Sequence, residues 1–265
     1  MKIPVKITSI TVFCVCLSFF CFSQEYNKPS VIKVNLSSLA LGAYSLQYEK
    51  VLGNRTSFAL GVVYRPVKQV PFAKTVERFV DAADSRIDYI SLANVKKSEA
   101  TVGTFGITPE FRYYFGKNKS APNGAYLAVF GRYNSYFGKA PVFVDVLYKD
   151  TFARIELPVD TQIKTISGGL MLGYQFKLGN RFTFDWFIIG GHYGKVTVHG
   201  ESNQNFEGYD EQFLKDIKAR IIDTFKINEQ YLSVEVDKQG VRVDNARNLT
   251  FFNLRGLGFN LGYKF

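Results

Sequence analysis

Apolar and polar residues alternate at every second position in eight segments of the chain, and this pattern restricts the fold more than any other feature. The alternation is clearest in the last segment, where one face carries only apolar side chains, namely Leu257, Phe259, Leu261, Tyr263 and Phe265. Successive side chains of a strand point to opposite faces, so the alternation predicts strands with one apolar and one polar face. The eight predicted strands cover 30–38, 43–51, 56–66, 103–115, 125–137, 162–177, 181–190 and 248–265.

The connections between these segments differ in length in a regular way. On one side the connections are short: they cover 53–55, 116–124 and 178–180. The other side has a tight first turn near 40–42 and then long insertions around 67–102, 138–161 and 191–247. An even number of antiparallel strands, with short turns at one end and long loops at the other, is typical of single-chain outer-membrane barrels. The sequence therefore predicts an all-β fold, an eight-stranded antiparallel transmembrane β-barrel with long extracellular loops.

The long loops contain patterns of their own. Apolar residues recur at helical spacing in 72–83 and again over about 209–226, which predicts two short helices. Alternating segments on both sides of 149–150 and 237–240 predict two hairpins that project beyond the membrane. Two interpretations stay open: a self-contained cap over the barrel mouth, or a binding platform whose strand edges pair with a partner.

The first residues are typical of a secretory signal peptide. Lys2 and Lys6 are followed by an uncharged, mostly apolar run over 7–22 and then by Ser23 and Gln24. We expect cleavage after Ser23, which gives a signal peptide of 1–23 and a barrel domain of 24–265. The alternative, an uncleaved anchor helix, fits less well because the run is short for a membrane span. All three cysteines lie inside this segment, so disulfides are not expected to hold the exported domain together.

The chain is basic, with a formal net charge of +10. A basic balance can indicate nucleic-acid binding, but the sequence contains nothing in the form of a nucleic-acid motif. For a surface barrel we expect contact with anionic lipopolysaccharide and lipid headgroups instead.

Charged residues recur on the polar faces of the predicted strands, which would line the barrel lumen. This set consists of Lys33, Glu49, Arg65, Glu110, Arg112, Arg132 and Asp185. An eight-stranded barrel is only wide enough to be filled by its own side chains, and buried charges must be paired. The pattern predicts an ionic network that plugs the lumen. The alternative is a narrow ion path or a gate.

Two segments resemble known outer-membrane proteins. The stretch 108–115 resembles the fourth strand of small Bacteroidetes-type outer-membrane barrel domains, which are similar in architecture to the OmpA/OmpX class. Pro109 within it cannot donate to a strand ladder, so we expect a local bulge there. The final segment, ending on Phe265, resembles the terminal signal by which such barrels are recognised, which implies the barrel-assembly machinery as a partner. The resemblance implies fold and location and says little about molecular activity.

Catalysis is not expected from this sequence. Its only histidines are His192 and His199, and a hydrolase would need a base beside a nucleophile. His192 is predicted at the outer rim, where Ser135 could approach it. No metal-ligand spacing, phosphate loop or dinucleotide motif is present, so no cofactor or metal is expected.

The leading hypothesis is a structural or surface-interaction barrel, serving adhesion or envelope integrity. A protein partner would bind through the extracellular loops 67–102 and 191–247. The main alternative is a narrow channel or transporter accessory, and a rim lipid-modifying enzyme is a distant third.

Overall fold

The computed structural model describes residues 28–69, 99–116, 121–148 and 151–265. Within these ranges one antiparallel sheet contains ten strands, and two helices lie between them. The strands are β1 Ser30–Asn35, β2 Tyr44–Val51, β3 Thr56–Gln69, β4 Thr101–Phe115, β5 Gly124–Tyr148, β6 Thr151–Leu178, β7 Phe182–Ser202, β8 Leu232–Asp237, β9 Gly240–Asn245 and β10 Leu249–Lys264. The helices are α1 Leu36–Ala40 and α2 Glu211–Thr224. The predicted signal peptide and the predicted helix over 72–83 lie outside the described residues.

Eight of these strands close into a ring. Strands β1 to β7 pair in chain order, and β10 pairs with β7 on one side and with β1 on the other. The closing register sets Ile32 opposite Tyr263, and the neighbouring one sets Trp186 opposite Phe259. The predicted ring of eight antiparallel strands is therefore confirmed, while β8 and β9 form a hairpin that extends the sheet from β7 outside the ring.

The two ends of the ring differ as the sequence predicts. The connections 52–55, 116–123 and 179–181 are short and share one end, which we call the turn end. At the opposite end, the loop end, lie α1, the end of β3, the start of β4, the paired ends of β5 and β6, and residues 203–248. The ring therefore has one compact end and one elaborated end.

Large apolar side chains point outwards and charged side chains point inwards, the reverse of a water-soluble protein. Leu46, Val129, Ile166, Leu170 and Leu254 are all exposed, each more than half accessible. Lys33, Glu49, Arg112 and Asp185 are fully buried. An apolar outer band around a polar interior is the surface that a barrel presents to lipid.

A bulge in β7 shifts the alternation halfway along the strand. The register between β6 and β7 changes between Leu172 and Gly173. On β7, Ile188 and Ile189 are both exposed, so odd-numbered residues such as Phe187 face inwards below the bulge and even-numbered ones such as His192 face inwards above it. One extra residue in a strand reverses the faces of all that follow.

The bulge expected at Pro109 is absent, and that prediction is wrong. Ile107 pairs with Tyr133 and Glu110 with Phe130, so the register of β4 on β5 is the same on both sides of the proline. The pairing is interrupted over two residues without an insertion. A register shift does occur in β3 between Arg65 and Lys68, beside Pro66.

Several strands end at residues other than those predicted. β1 stops at Asn35 instead of continuing to 38, because the Asn35 side chain accepts a hydrogen bond from the Ser38 backbone N–H at 2.6 Å and caps α1. β5 and β6 run far beyond 137 and 162, so the predicted hairpin around 149–150 is continuous with the barrel wall. His192 lies within β7 rather than beyond it.

Residues 139–148, 151–160 and 197–249 form an outer module at the loop end. α2 lies where the sequence predicts a helix over about 209–226, and the Asp210 side chain caps its first turn by accepting from the Phe213 N–H at 2.8 Å. Phe213, Ile217 and Ile221 form its buried face. The core of the module consists of Val142, Val144, Val146, Leu157, Phe206, Phe213, Ile217, Ile221, Phe225, Ile227, Leu232, Val234, Val241 and Leu249. Within the described ranges, neither helix has the length and apolar character needed to cross a bilayer.

Candidate functional site

The lumen near the turn end is occupied by a network of buried charges. Lys33 Nζ lies 2.5 Å from Glu49 Oε2 and 2.6 Å from Asp185 Oδ2. Arg112 Nη1 lies 2.7 Å from the same Asp185 oxygen, and Arg112 Nη2 lies 2.6 Å from Glu110 Oε2. All five side chains are completely buried, so two cations and three carboxylates from β1, β2, β4 and β7 meet across the barrel.

Neutral side chains complete this network. Tyr114 Oη donates to Glu49 Oε1 at 2.6 Å, and Tyr126 Oη donates to Asp185 Oδ1 at 2.7 Å. Gln175 accepts from Lys33 Nζ at 2.8 Å. The Arg112 guanidinium also lies over the Tyr126 ring, 4.5 Å from its centroid. These contacts leave the charges hydrogen-bonded as well as paired, which buried ions require.

The network was predicted in part, and two of its predicted members lie elsewhere. Arg65 is half-buried near the loop end of β3, where Nη2 donates to the Gln69 carbonyl at 3.1 Å. It pairs with Thr104 on β4, eight residues from Arg112, so it is far above the other charges. Arg132 faces the lumen, but its buried Nε has no hydrogen-bond partner among the described residues.

Arg255 provides a charge that the sequence reasoning missed. Its Nη1 lies 3.1 Å from Glu110 Oε1, and its guanidinium lies over the Phe187 ring at 4.6 Å. Arg255 thus brings the paired charges to three cations and three carboxylates. Around Arg255 the odd-numbered residues of β10 face inwards. Further along the strand the even-numbered residues face inwards, since Gly258 and Asn260 are buried. The alternation at the end of the chain therefore does not reveal it.

A serine and a histidine meet above the network. His192 Nδ1 lies 3.0 Å from Ser167 Oγ, and the ring packs against Phe130 and Phe251. Ser135, which the sequence suggested could approach His192, instead accepts from Gln162 Nε2 at 3.4 Å, so the serine beside His192 is Ser167. Of the residues that the structure describes, no carboxylate lies within hydrogen-bonding distance of His192 to orient its ring as a catalytic triad would.

Towards the loop end the lumen widens into an outer cavity of about 1070 Å³. Its walls are the inward faces of β5, β6, β7 and β9, the C-terminal half of α2 and the adjoining ends of β4 and β10. The lining is mostly aliphatic, and polar side chains such as Lys139, Glu201 and Arg247 also contribute. The barrel therefore contains two different interiors, a filled ionic one and an open apolar one.

The predicted assembly residues lie on the last strand. Phe259, Leu261 and Tyr263 are on the outer face of β10 and are partly exposed. Phe265 is exposed, and its backbone exchanges two hydrogen bonds with Ser30, of 2.8 and 2.9 Å. The side chain of Leu257 is outside the described part of the chain. Recognition of these residues by an assembly machinery stays a prediction.

A family model described as "Protein of unknown function (DUF3575)" matches residues 10–204. No curated protein matches the chain. A solved structure described as a major outer membrane protein from Thermus thermophilus is similar, at 12% identity, with a TM-score of 0.41, over 90% of this chain and 98% of that one.

Two further solved structures cover the same shares of the two chains. The N-terminal β-barrel domain of Pseudomonas aeruginosa OprF has 9% identity and a TM-score of 0.27. The β domain of the Bordetella autotransporter BrkA has 12% identity and a TM-score of 0.27. The first neighbour is described as an outer membrane protein and the second as a β-barrel domain. A Bacteroidetes-type subclass for this chain stays a prediction.

Proposed function

Because the chain belongs to the DUF3575 family, whose function is unknown, we propose from its geometry that it is an integral outer-membrane β-barrel of structural or surface-interaction type. The observation that carries this proposal is the closed ring of eight strands with apolar side chains outside and an ionic network inside. A bilayer offers no hydrogen bonds to strand edges, so a spanning sheet must close, as this one does.

The orientation follows from the two ends of the ring. β1 begins and β10 ends at the turn end, which we propose faces the periplasm after export by a cleaved signal peptide over 1–23. The outer module then lies outside the cell, on the side of the membrane that carries lipopolysaccharide. The sequence over 139–160 and 197–249 contains 10 Lys and Arg against 14 Asp and Glu, so any contact with anionic lipopolysaccharide would use the basic residues of the rest of the chain. Assembly would use the general barrel-assembly machinery.

The filled lumen supports a structural role over a channel role. Arg112, Lys33 and Tyr114 are among the largest completely buried side chains, and all three lie in one layer of the lumen. An ion would have to displace hydrogen-bonded charges to pass this layer, at a cost of several kcal/mol.

The outer module supports a surface interaction. In the described part of the chain, β8 pairs with β9 alone, so its second edge has no strand partner. An unpaired strand edge can receive an extended segment of another protein. We propose that an extracellular protein partner binds through the loops 67–102 and 191–247, in support of adhesion or envelope integrity.

The test is a gel comparison of boiled and unboiled protein from the outer-membrane fraction, for the full chain and for a variant lacking 205–245. Closed barrels resist unfolding in detergent and run faster unboiled, so we expect the shift for both proteins. A single band from a soluble fraction would contradict the membrane barrel. Loss of the shift in the variant alone would show that the outer module is needed to hold the barrel together rather than to display a surface.

A further inference from the structure

The outer cavity is bounded by rigid walls. The residues that face it include Val159 and Ile163 on β6, Val196 and Val198 on β7, Ile221 on α2 and Phe225, the residue that follows α2. The strands are held by continuous pairing, and α2 is capped at Asp210 and buried along one face. Walls built in this way cannot collapse to fill the space. The cavity volume, about 1070 Å³, is close to the upper limit of about 1,000 Å³ for small-molecule sites.

One charged residue among those lining the cavity differs from the others. Lys139 is paired with Asp160 at 3.0 Å, and Glu201 lies 3.8 Å from His199. Arg247 instead lies over the Tyr231 ring, with its guanidinium carbon 4.0 Å from the ring centroid. Within the described ranges no carboxylate lies within ion-pair distance of the Arg247 guanidinium. The cation is thus held in place by an aromatic ring and can still bind an anion.

We propose that this cavity binds an amphiphile, with a long hydrocarbon chain against the aliphatic walls and an anionic head group at Arg247. Apolar burial would supply most of the affinity, because it is proportional to the hydrocarbon area removed from water. Arg247 would select a carboxylate or a phosphate over a neutral head group. This inference goes beyond the structural role proposed above and does not depend on it, since the ligand would bind whether or not a protein partner exists.

The test uses the purified full chain in lipid nanodiscs and palmitic acid carrying a diazirine, with fragment-ion mapping of the photolabelled residues. Bulk probe in the bilayer labels outward residues such as Ile166 and Leu170, which are exposed to lipid. We expect additional labelling of the inward residues Ile163 and Val198, which unlabelled palmitic acid competes away. Labelling confined to outward residues would overturn the proposal.

Two glycines provide a matched pair of variants. A Cβ at Gly200 would lie at ordinary contact distance, 3.7 Å from Val243 Cβ, so Gly200→Phe can place its ring in the cavity. Gly208 has nothing within 4 Å of a Cβ and does not line the cavity, so Gly208→Phe is the control. We expect Gly200→Phe to abolish the inward labelling and Gly208→Phe to keep it; equal labelling of the two would contradict the cavity site.

A second cavity variant guards against misfolding of the first. Gly138 also lines the cavity, and its Cβ would lie 3.8 Å from the Thr101 carbonyl. Gly138→Phe should abolish the inward labelling as Gly200→Phe does. A difference in gel mobility between boiled and unboiled samples shows that the barrel is intact. An intact barrel that still labels at Ile163 would count against the proposal.

The head group is tested by comparing the acid with the alkyl phosphate and the alcohol of the same chain length. We expect the acid, the phosphate or both to label inward residues more than the alcohol does, and the comparison shows which anion the site prefers. Arg247→Gln should reduce that preference by about two- to five-fold, the effect of an exposed ion pair. Arg242→Gln is the control, since Arg242 interacts with Glu235 at 3.6 Å instead. Equal labelling by the alcohol in the unmodified protein would overturn the role of Arg247.

Discussion

Arg112 on β4 and Asp185 on β7 meet across the lumen, with Nη1 and Oδ2 2.7 Å apart, although two other strands separate them along the wall. Lys33 approaches the same carboxylate oxygen from β1 at 2.6 Å. Tyr126 on β5 donates to the other oxygen of this carboxylate, which therefore links four strands of the ring. The stability of the ring should depend on it more than on any single wall contact.

Asp185→Asn should lower the free energy of unfolding by about 3–5 kcal/mol, because it leaves two buried cations without their shared partner. Urea unfolding followed by the fluorescence of Trp186, the single tryptophan, measures this change beside the mutated position. Lys139→Gln, which removes an exposed ion pair, is the control and should change the midpoint little. Equal midpoints for the two variants would contradict the central role of Asp185.

Gly173→Ala should destabilise the barrel by about 1–3 kcal/mol through overpacking. A Cβ at Gly173 would come within 2.4 Å of the Tyr126 hydroxyl, so the ring would have to leave its hydrogen bond with Asp185. At Gly61 the nearest atom would be 3.6 Å away, and Gly61→Ala should be tolerated. The same unfolding measurement compares the two, and a loss at Gly61 but not at Gly173 would be the opposite of our expectation.

The full chain should be electrically silent in planar bilayers. Arg112→Ala removes a buried side chain at the centre of the ionic network, and brief conductance steps should then be seen. Large steady currents through the unmodified protein would favour the channel alternative and show that the network does not seal the lumen.

Asp145 and Arg154 form an exposed ion pair in the outer module, and the strength of this pair should depend on pH. Hydrogen bonds from the Arg154 guanidinium, of 2.8 and 3.2 Å, hold the pKa of the Asp145 carboxyl below its ordinary value. Because the pKa of Asp145 is lower in the folded protein than in the unfolded chain, the ion pair stabilises the fold at pH values above the pKa of the unfolded chain. This stabilisation is lost as pH falls through the pKa of the folded protein. Carboxyl carbon shifts followed by NMR should show Asp145 titrating at higher pH in Arg154→Gln, and an unchanged titration would show that Arg154 is not the cause.

His192→Ala should leave the lipid A composition of the producing cells unchanged. The Ser167 and His192 pair has a hydrogen bond of 3.0 Å, but no carboxylate among the described residues orients the imidazole. Mass spectrometry of extracted lipid A is the measurement. A lost modification in His192→Ala that is restored by the unmodified gene would revive the enzyme hypothesis.

The ring and most of its charges were predictable because both depend on a short-range rule. Alternation at period two assigns Lys33, Glu49, Glu110, Arg112 and Asp185 to the inner face, and the closed ring brings them together. The neutral partners Tyr114 and Tyr126 obey the same alternation, yet aromatic residues are expected at the outer face of a barrel.

Single strands do not predict how neighbouring strands are aligned, nor where the inward-facing positions of a strand change from odd to even residues. Arg65 satisfies the alternation of β3 but pairs near the loop end, and only the register places it there. Arg255 belongs to a part of β10 whose inward positions differ from those further along, opposite the bulge region of β7. Such shifts depend on the neighbouring strand, and no pattern within one segment encodes them.

The pairing of β7 directly with β10 has a consequence for the 46 residues that separate the two strands, 203–248. These residues leave the wall at Ser202 and return at Leu249, which lies opposite Val196 on the same edge. The wall holds Val196 and Leu249 together, so exchanging the residues between these two positions for another sequence adds little loop-closure entropy. The wall of eight strands is therefore a scaffold on which the sequence of the segment between the last two strands can diverge while the strand pairing of the wall stays the same.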